Sequence, residues 1–187
     1  EQGKKVLFID TEGGIAVERI KQITEHHQMV MDNIMFCSPM TFTEQKEVFD
    51  NLKSQITEHV GMIVVDSISM LYRLELGRSE GVFEVNSALG KQIASLVEIA
   101  RKHKIPVLVT NQVYADFNNK DKVKMVGGDL LKYGSKCLIE LHKFENCRGM
   151  TLRKHRSMAE GKELKFNVVA DGIGSVEERT EMPPKLL

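Results

Sequence analysis

Met62 to Asp66 reads MIVVD, four apolar residues in a row closed by a carboxylate. An apolar run with no polar alternation is the pattern of a strand buried on both faces of a parallel sheet. Lys5 to Asp10 (KVLFID) has the same form upstream. Val107 to Val109 repeats it downstream and runs straight into Thr110, Asn111 and Gln112. Helical periods lie between these runs. Val17, Ile20 and Ile23 share one side of a segment that begins after Gly13 and Gly14. Val48, Phe49, Leu52 and Ile56 follow a capping box formed by Thr41 and Glu44. Val85, Leu89, Ile93, Leu96, Val97 and Ala100 mark a long helix that stops near Pro106. With Asn33 to Cys37 (NIMFC) as a further short strand, the order is β-α-β-α-β-α-β. That order is α/β: right-handed crossovers and a mostly parallel, twisted sheet with helices on both faces.

The last third differs. Cys137 to Leu141, Met150 to Arg153 and Lys165 to Val169 are short strands with no helix-length segment between them. They are expected as antiparallel additions at the C-terminal edge of the sheet. Tyr114 to Lys136 holds Gly127, Gly128 and Gly134 without a sustained period, and is expected as a long functional or mobile loop.

Composition narrows the class. The 187 residues, 42% hydrophobic, suit a single domain over 1–187 with a sizeable core. The 26 basic and 26 acidic side chains cancel, so any nucleic-acid contact must come from a local patch. No run approaches the roughly 18–20 apolar residues of a membrane span, and the charged start does not have the form of a signal peptide. Three cysteines (Cys37, Cys137, Cys147) cannot all pair with one another, and a reducing, cytoplasmic setting is expected.

In an open parallel sheet, ligands bind outside the carboxyl ends of the strands. Three strands deliver polar residues there: Asp10, Thr11 and Glu12; Asp66 and Ser67; Thr110, Asn111 and Gln112. One alternative stays open, that these residues only cap turns and helix starts. Four apolar residues ending in aspartate match the Walker B pattern, in which a rigid carboxylate orients the hydration shell of Mg²⁺. Glu12 is placed to be a general base for water attacking a γ-phosphate. The partner motif, G-x-x-x-x-G-K-[ST], is absent: Gly90–Lys91, Gly161–Lys162 and Gly3–Lys4 all fail its spacing or its last position. Cys137, His142 and Cys147 are evenly spaced but fit no ordinary zinc pattern.

A basic patch is present nonetheless. Residues 118–136 hold five lysines (120, 122, 124, 132 and 136) against Asp121 and Asp129, a net +3, with Tyr114 and Phe117 just before them. Phosphate neutralisation beside base stacking would bind single strands, with an unliganded mobile loop as the open alternative.

Taken together, IDTEGG (9–14) followed by ERI (18–20), VVDS (64–67), TNQV (110–113) and KHRS (154–157) resemble the RecA/RadA recombinase superfamily. Within it, the archaeal paralogues of RadA are similar at CSPMTFTEQ (37–45), IARKHKIPVLVTNQV (99–113) and LRKHRSMAEG (152–161). The resemblance runs from Lys4 to about Val176 and implies a RecA-like P-loop NTPase core using ATP and Mg²⁺. Family members carry the P-loop strand and helix just upstream of the position of Glu1, so the chain is expected to be a fragment truncated there.

By resemblance, Glu12 is the water-activating glutamate, Asp66 the Walker B aspartate and metal ligand, and Asp10, Thr11 and Ser67 its neighbours at the nucleotide. Arg19 would stack on adenine, with a solvated helix face as the alternative. Gln112 would sense the γ-phosphate. Lys154 and Arg156, two apart on an expected strand and so on one face, would reach a neighbouring subunit's phosphates; a solvated strand face is again the alternative. The stretch from Leu74 to Gly81, with Arg73 and Arg78, matches the family's first DNA-binding loop, and Tyr114, Phe117, Lys120, Lys122 and Lys124 belong to its second.

The implied role is homologous recombination and DNA repair with weak ATP hydrolysis. The implied partners are single-stranded DNA, with double-stranded DNA as a second candidate, recombinase or other repair proteins, and further copies of the chain. Two other readings stay open here. One is a KaiC-like regulatory ATPase acting through ring assembly and protein binding; the other is a structural fragment without activity.

Overall fold

The computed structural model describes residues 3–78, 80–116 and 119–176, with the backbone alone at 115–116 and 119–122. They fall into two compact units, Glu1–Arg19 with His26–Ser135, and Ile20–Glu25 with Lys136–Leu187.

The first unit is built on four parallel strands, β1 (Lys5–Asp10), β2 (Ile34–Cys37), β3 (Val60–Asp66) and β4 (Val107–Val109), in the order β2-β1-β3-β4. Helix α1 (Val17–Ile23) is divided between the two units, while α2 (His27–Asp32), α3 (Phe42–Gln55), α4 (Met70–Leu76) and α5 (Val82–His103) belong to the first. Strand side chains alternate between faces. Leu7, Ile9, Ile63 and Val65 share one face by register and are fully buried in one cluster with Phe49 and Leu52 of α3 and Leu89, Leu96 and Ile99 of α5. On the other face Phe36, Phe8, Val64 and Leu108 stand in one row across the strands. There Phe36 stays 41% and Leu108 51% exposed.

Local signals place the helix ends. The Glu44 amide donates to Thr41 Oγ1 at 3.2 Å, and the Glu44 carboxylate accepts from the Met40 amide at 2.8 Å. The second half of the expected capping box is therefore shifted back by one residue. Helix α5 ends on Lys104 at φ 56°, the left-handed region. A side chain there costs about 1–2 kcal/mol, whereas glycine adopts the region freely but loses more entropy on folding. Lys104→Gly is therefore expected to raise stability by up to about 1 kcal/mol, read as a higher urea midpoint at unchanged slope.

The stretch read as an unstructured loop is largely ordered. It forms an antiparallel hairpin of β5 (Val113–Asp116) and β6 (Asn119–Met125), followed by α6 (Asp129–Gly134). Periodicity failed here because β5 is only four residues long and β6 (NKDKVKM) carries polar residues on either face, which hides a two-residue alternation.

The second unit holds β7 (Leu138–Lys143), β8 (Arg148–Lys154), β9 (Glu163–Val169) and β10 (Gly172–Ser175). The strands are antiparallel, as expected from the sequence, and they pair with one another in the order β10-β9-β8-β7. Its polar face is cross-linked. His142 Nε2 lies 2.7 Å from the buried Thr151 hydroxyl, and Arg153 pairs with Glu140.

Candidate functional site

Register brings the strand ends into line. Asp10 sits opposite Asp66, and Val65 opposite Val109, so residues 10–12, 66–67 and 110–112 leave the sheet side by side. Backbone bonds continue the alignment past the strands. The Thr11 amide donates to the Asp66 carbonyl at 2.8 Å, and the Thr110 amide to that of Val65 at 3.0 Å.

Asp10 shapes the loop that follows it. Its buried Oδ1 accepts the amides of Glu12, Gly13 and Gly14 at 3.1, 2.8 and 3.4 Å. This fold-back needs φ +67° at Gly13, a conformation that a Cβ would strain. Thr11 Oγ1 donates to the Ser67 carbonyl at 2.7 Å and accepts the Ser67 amide at 3.0 Å, tying the ends of β1 and β3 together.

Glu12 is where the three ends converge. Its Oε1 accepts the Ser67 hydroxyl at 2.8 Å and the Gln112 side-chain amide at 3.1 Å. Its Oε2 has no hydrogen-bond partner among the described residues. Gln112 is held in turn by its backbone amide on Ser69 Oγ at 3.3 Å. Asn111 Nδ2 bonds the carbonyls of Gln112 and Val126 at 3.0 and 3.1 Å, which fastens Gln112 to the base of the hairpin. Asn111 was expected at this edge as one of the polar residues that follow the fourth strand; Ser69 was not, since it acts through a backbone amide that no sequence spacing reveals.

Asp66 Oδ1 accepts the Thr110 hydroxyl. Among the described residues no group of three or more His, Cys, Asp or Glu is arranged to hold a metal ion. A single strand-end carboxylate beside hydroxyls fits Mg²⁺, a hard ion that keeps several waters and is shared with substrate phosphates.

The remaining expected residues lie elsewhere. Arg19 is half-buried on α1, Arg73 is exposed on α4, and Arg78 is exposed in the turn after it. Exposed Tyr114 on β5 sits directly opposite exposed Lys124 on β6, so an aromatic ring and a cation share one face of the hairpin. Lys120 and Lys122 belong to β6, but their side chains, and Phe117 altogether, lie outside the described residues.

The shared strand face expected of Lys154 and Arg156 is corrected. Strand β8 ends at Lys154, and Arg156 lies in the following bend. There His155 Nδ1 accepts the amides of Ser157 and Met158 at 3.2 and 3.1 Å. That side-chain turn breaks the two-residue alternation.

Polar groups gathered outside the carboxyl ends of parallel strands define an α/β ligand-binding core of the kind that takes nucleotides. By sequence the chain belongs to the Rad51 family, which it matches over residues 1–176. It is 42% identical to the DNA repair and recombination protein RadB of Methanobrevibacter smithii over 181 residues, 92% of this chain and 76% of that protein. It is 37% identical to RadB of Methanocaldococcus jannaschii over 175 residues, covering 92% and 81%. A crystal structure of the RadB recombinase superposes with a TM-score of 0.78 at 35% identity, covering 94% of this chain and 80% of that one. Proteins of this family bind nucleotides.

Proposed function

We propose that the chain is the core of a RadB-like DNA repair and recombination protein that binds ATP with Mg²⁺ and acts on DNA. The observation that carries the nucleotide part is the Glu12 carboxylate, held on one oxygen by Ser67 and Gln112 from two other strand ends, while its second oxygen has no hydrogen-bond partner among the described residues. Such a carboxylate can orient a water and take its proton. Asp66 would hold the hydration shell of Mg²⁺, which supplies charge neutralisation at the phosphates when bound. Arg19 would stack on the base, and Lys154 with Arg156 would serve a neighbouring copy's nucleotide. Gln112, fastened both to Glu12 and to the hairpin base, would link the nucleotide to the DNA-binding segment.

Identity to RadB proteins at about 40% over most of the chain supports the recombination role. The lysine-rich hairpin, with Tyr114 opposite Lys124, supports single-stranded DNA as the substrate surface, and Arg73 with Arg78 a second contact. Among the described residues no helix is long and apolar enough to cross a membrane.

Fluorescent ATP titrated into the chain tests the phosphate requirement. The 187-residue chain, with no G-x-x-x-x-G-K-[ST] motif, is expected to bind weakly. A form extended at its N-terminus by the phosphate-binding strand, loop and helix of a RadB relative is expected to bind much more tightly. Equal affinity in both forms would place the phosphates elsewhere and overturn this site.

A further inference from the structure

Two glutamines lie inside helix faces that are otherwise apolar. Gln45 of α3 is 0% exposed among Phe42, Phe49 and Leu52, and Gln92 of α5 is 3% exposed between Leu89 and Ile93. Gln45 Nε2 donates to Gln92 Oε1 at 2.8 Å and to the backbone carbonyl of Ile68 at 3.2 Å. A carbonyl accepts only a donor, so the atom facing Ile68 must be the amide nitrogen. Gln92 must then present its oxygen. The other two amide atoms, Gln45 Oε1 and Gln92 Nε2, are buried with no hydrogen-bond partner among the described residues.

Stability does not explain such a pair. A buried amide atom without a partner is destabilising, and apolar residues of similar shape would remove both, leaving only the Ile68 carbonyl in want of a donor. What the pair does hold is Ile68, the residue after Ser67. Ser67 donates its hydroxyl to Glu12, exchanges two hydrogen bonds with Thr11, and is itself almost fully buried. From the other side the Ile68 amide is tied to the Thr110 carbonyl at 3.3 Å. The segment 66–68 is thus fixed at one end by β3 and Thr11 and at the other by Thr110 and the buried glutamine.

We propose that Gln45, oriented by Gln92, is a positioning residue for the sheet-edge site: by holding the Ile68 carbonyl it sets the Ser67 hydroxyl, and through it the Glu12 carboxylate and Gln112. Without that donor the Ile68 carbonyl is left unpaired and the segment shifts to find another partner. The effect on catalysis rests on the proposed role of Glu12; the geometric claim does not. The test therefore needs no nucleotide, and a failure of Glu12 in turnover would leave its result standing.

The ¹⁵N-labelled chain is compared with two variants by melting and by amide spectra. In Gln45→Met/Gln92→Leu both partnerless atoms are removed along with the donor to Ile68. It is expected to melt within about 4 °C of the parent. The backbone amides of Glu12 and Ser67 and the side-chain amide of Gln112 are expected to move, while the amides of β7 to β10 stay in place. Gln92→Glu keeps an acceptor for Gln45 and is expected to leave those three resonances where they were. A parent-like spectrum in the apolar pair, equal movement in both variants, or a variant that does not fold would each overturn the proposal.

Discussion

Glu12→Gln is expected to lower ATP turnover by about 10²–10⁴-fold in the form carrying a phosphate-binding loop, with ATP affinity retained. The expectation follows from what the amide keeps and what it loses. Oε1 of glutamine still accepts from Ser67 and Gln112, the two bonds that fix the carboxylate now at 2.8 and 3.1 Å. The group taking the place of Oε2 can orient a water but cannot take its proton. Steady-state turnover with parallel ATP titration separates the two, and unchanged turnover at full occupancy would make Glu12 a structural residue of its loop. The same variant tests the second unit. If Lys154 and Arg156 act on a neighbouring copy's nucleotide, Lys154→Ala/Arg156→Ala is inactive in pure assemblies. Mixed with Glu12→Gln it recovers some activity, because each partner then supplies what the other lacks. Mixed assemblies with no recovery would leave these two cations as surface charge.

Replacing Lys120, Lys122 and Lys124 together with alanine is expected to flatten the salt dependence of single-stranded DNA binding by about 2 in log–log slope, at roughly 0.7 per phosphate contact. Between 50 and 200 mM salt the parent would then lose about 16-fold more affinity than the variant. The effect should be the same on any sequence, because phosphates carry no base information. Tyr114→Ala removes a ring, not a charge, from the same hairpin, and is expected to weaken binding at nearly unchanged slope. Fluorescence anisotropy across a salt series reads both quantities at once. A triple variant with the parent's affinity and slope would remove this hairpin from the DNA surface.

Much of the fold was legible because its signals are local. KVLFID and MIVVD are strands, Thr41 and Glu44 start a helix, and the apolar repeat from Val85 to Ala100 lies within one 22-residue helix. Each of these is decided by a residue and its near neighbours, through side-chain alternation, the 3.6-residue turn and the amides a cap can satisfy. Where neighbours carry no such pattern the reading failed. The short β5 and the polar β6 passed for a loop, and the His155 turn ended β8 before Arg156. The sequence also named Glu12, Ser67 and Gln112, since each follows an apolar run that ends at the same sheet edge.

Only the tertiary structure decided what those residues do to one another. Glu12 meets Ser67 across 55 positions and Gln112 across 100, because strand register brings the three strand ends side by side. Asp10, another candidate at this edge, has one carboxylate oxygen taken by three amides of its own loop. Packing brings Gln45 and Gln92, on two different helices, to 2.8 Å and leaves each with one amide atom that no described residue pairs. The sequence by itself determined which segments become strands and helices, and which residue types reach the sheet edge. The tertiary structure determined which of those side chains meet and which of their atoms the fold itself hydrogen-bonds. A side chain's hydrogen-bonding capacity is limited, and what the fold consumes is settled only when distant segments meet.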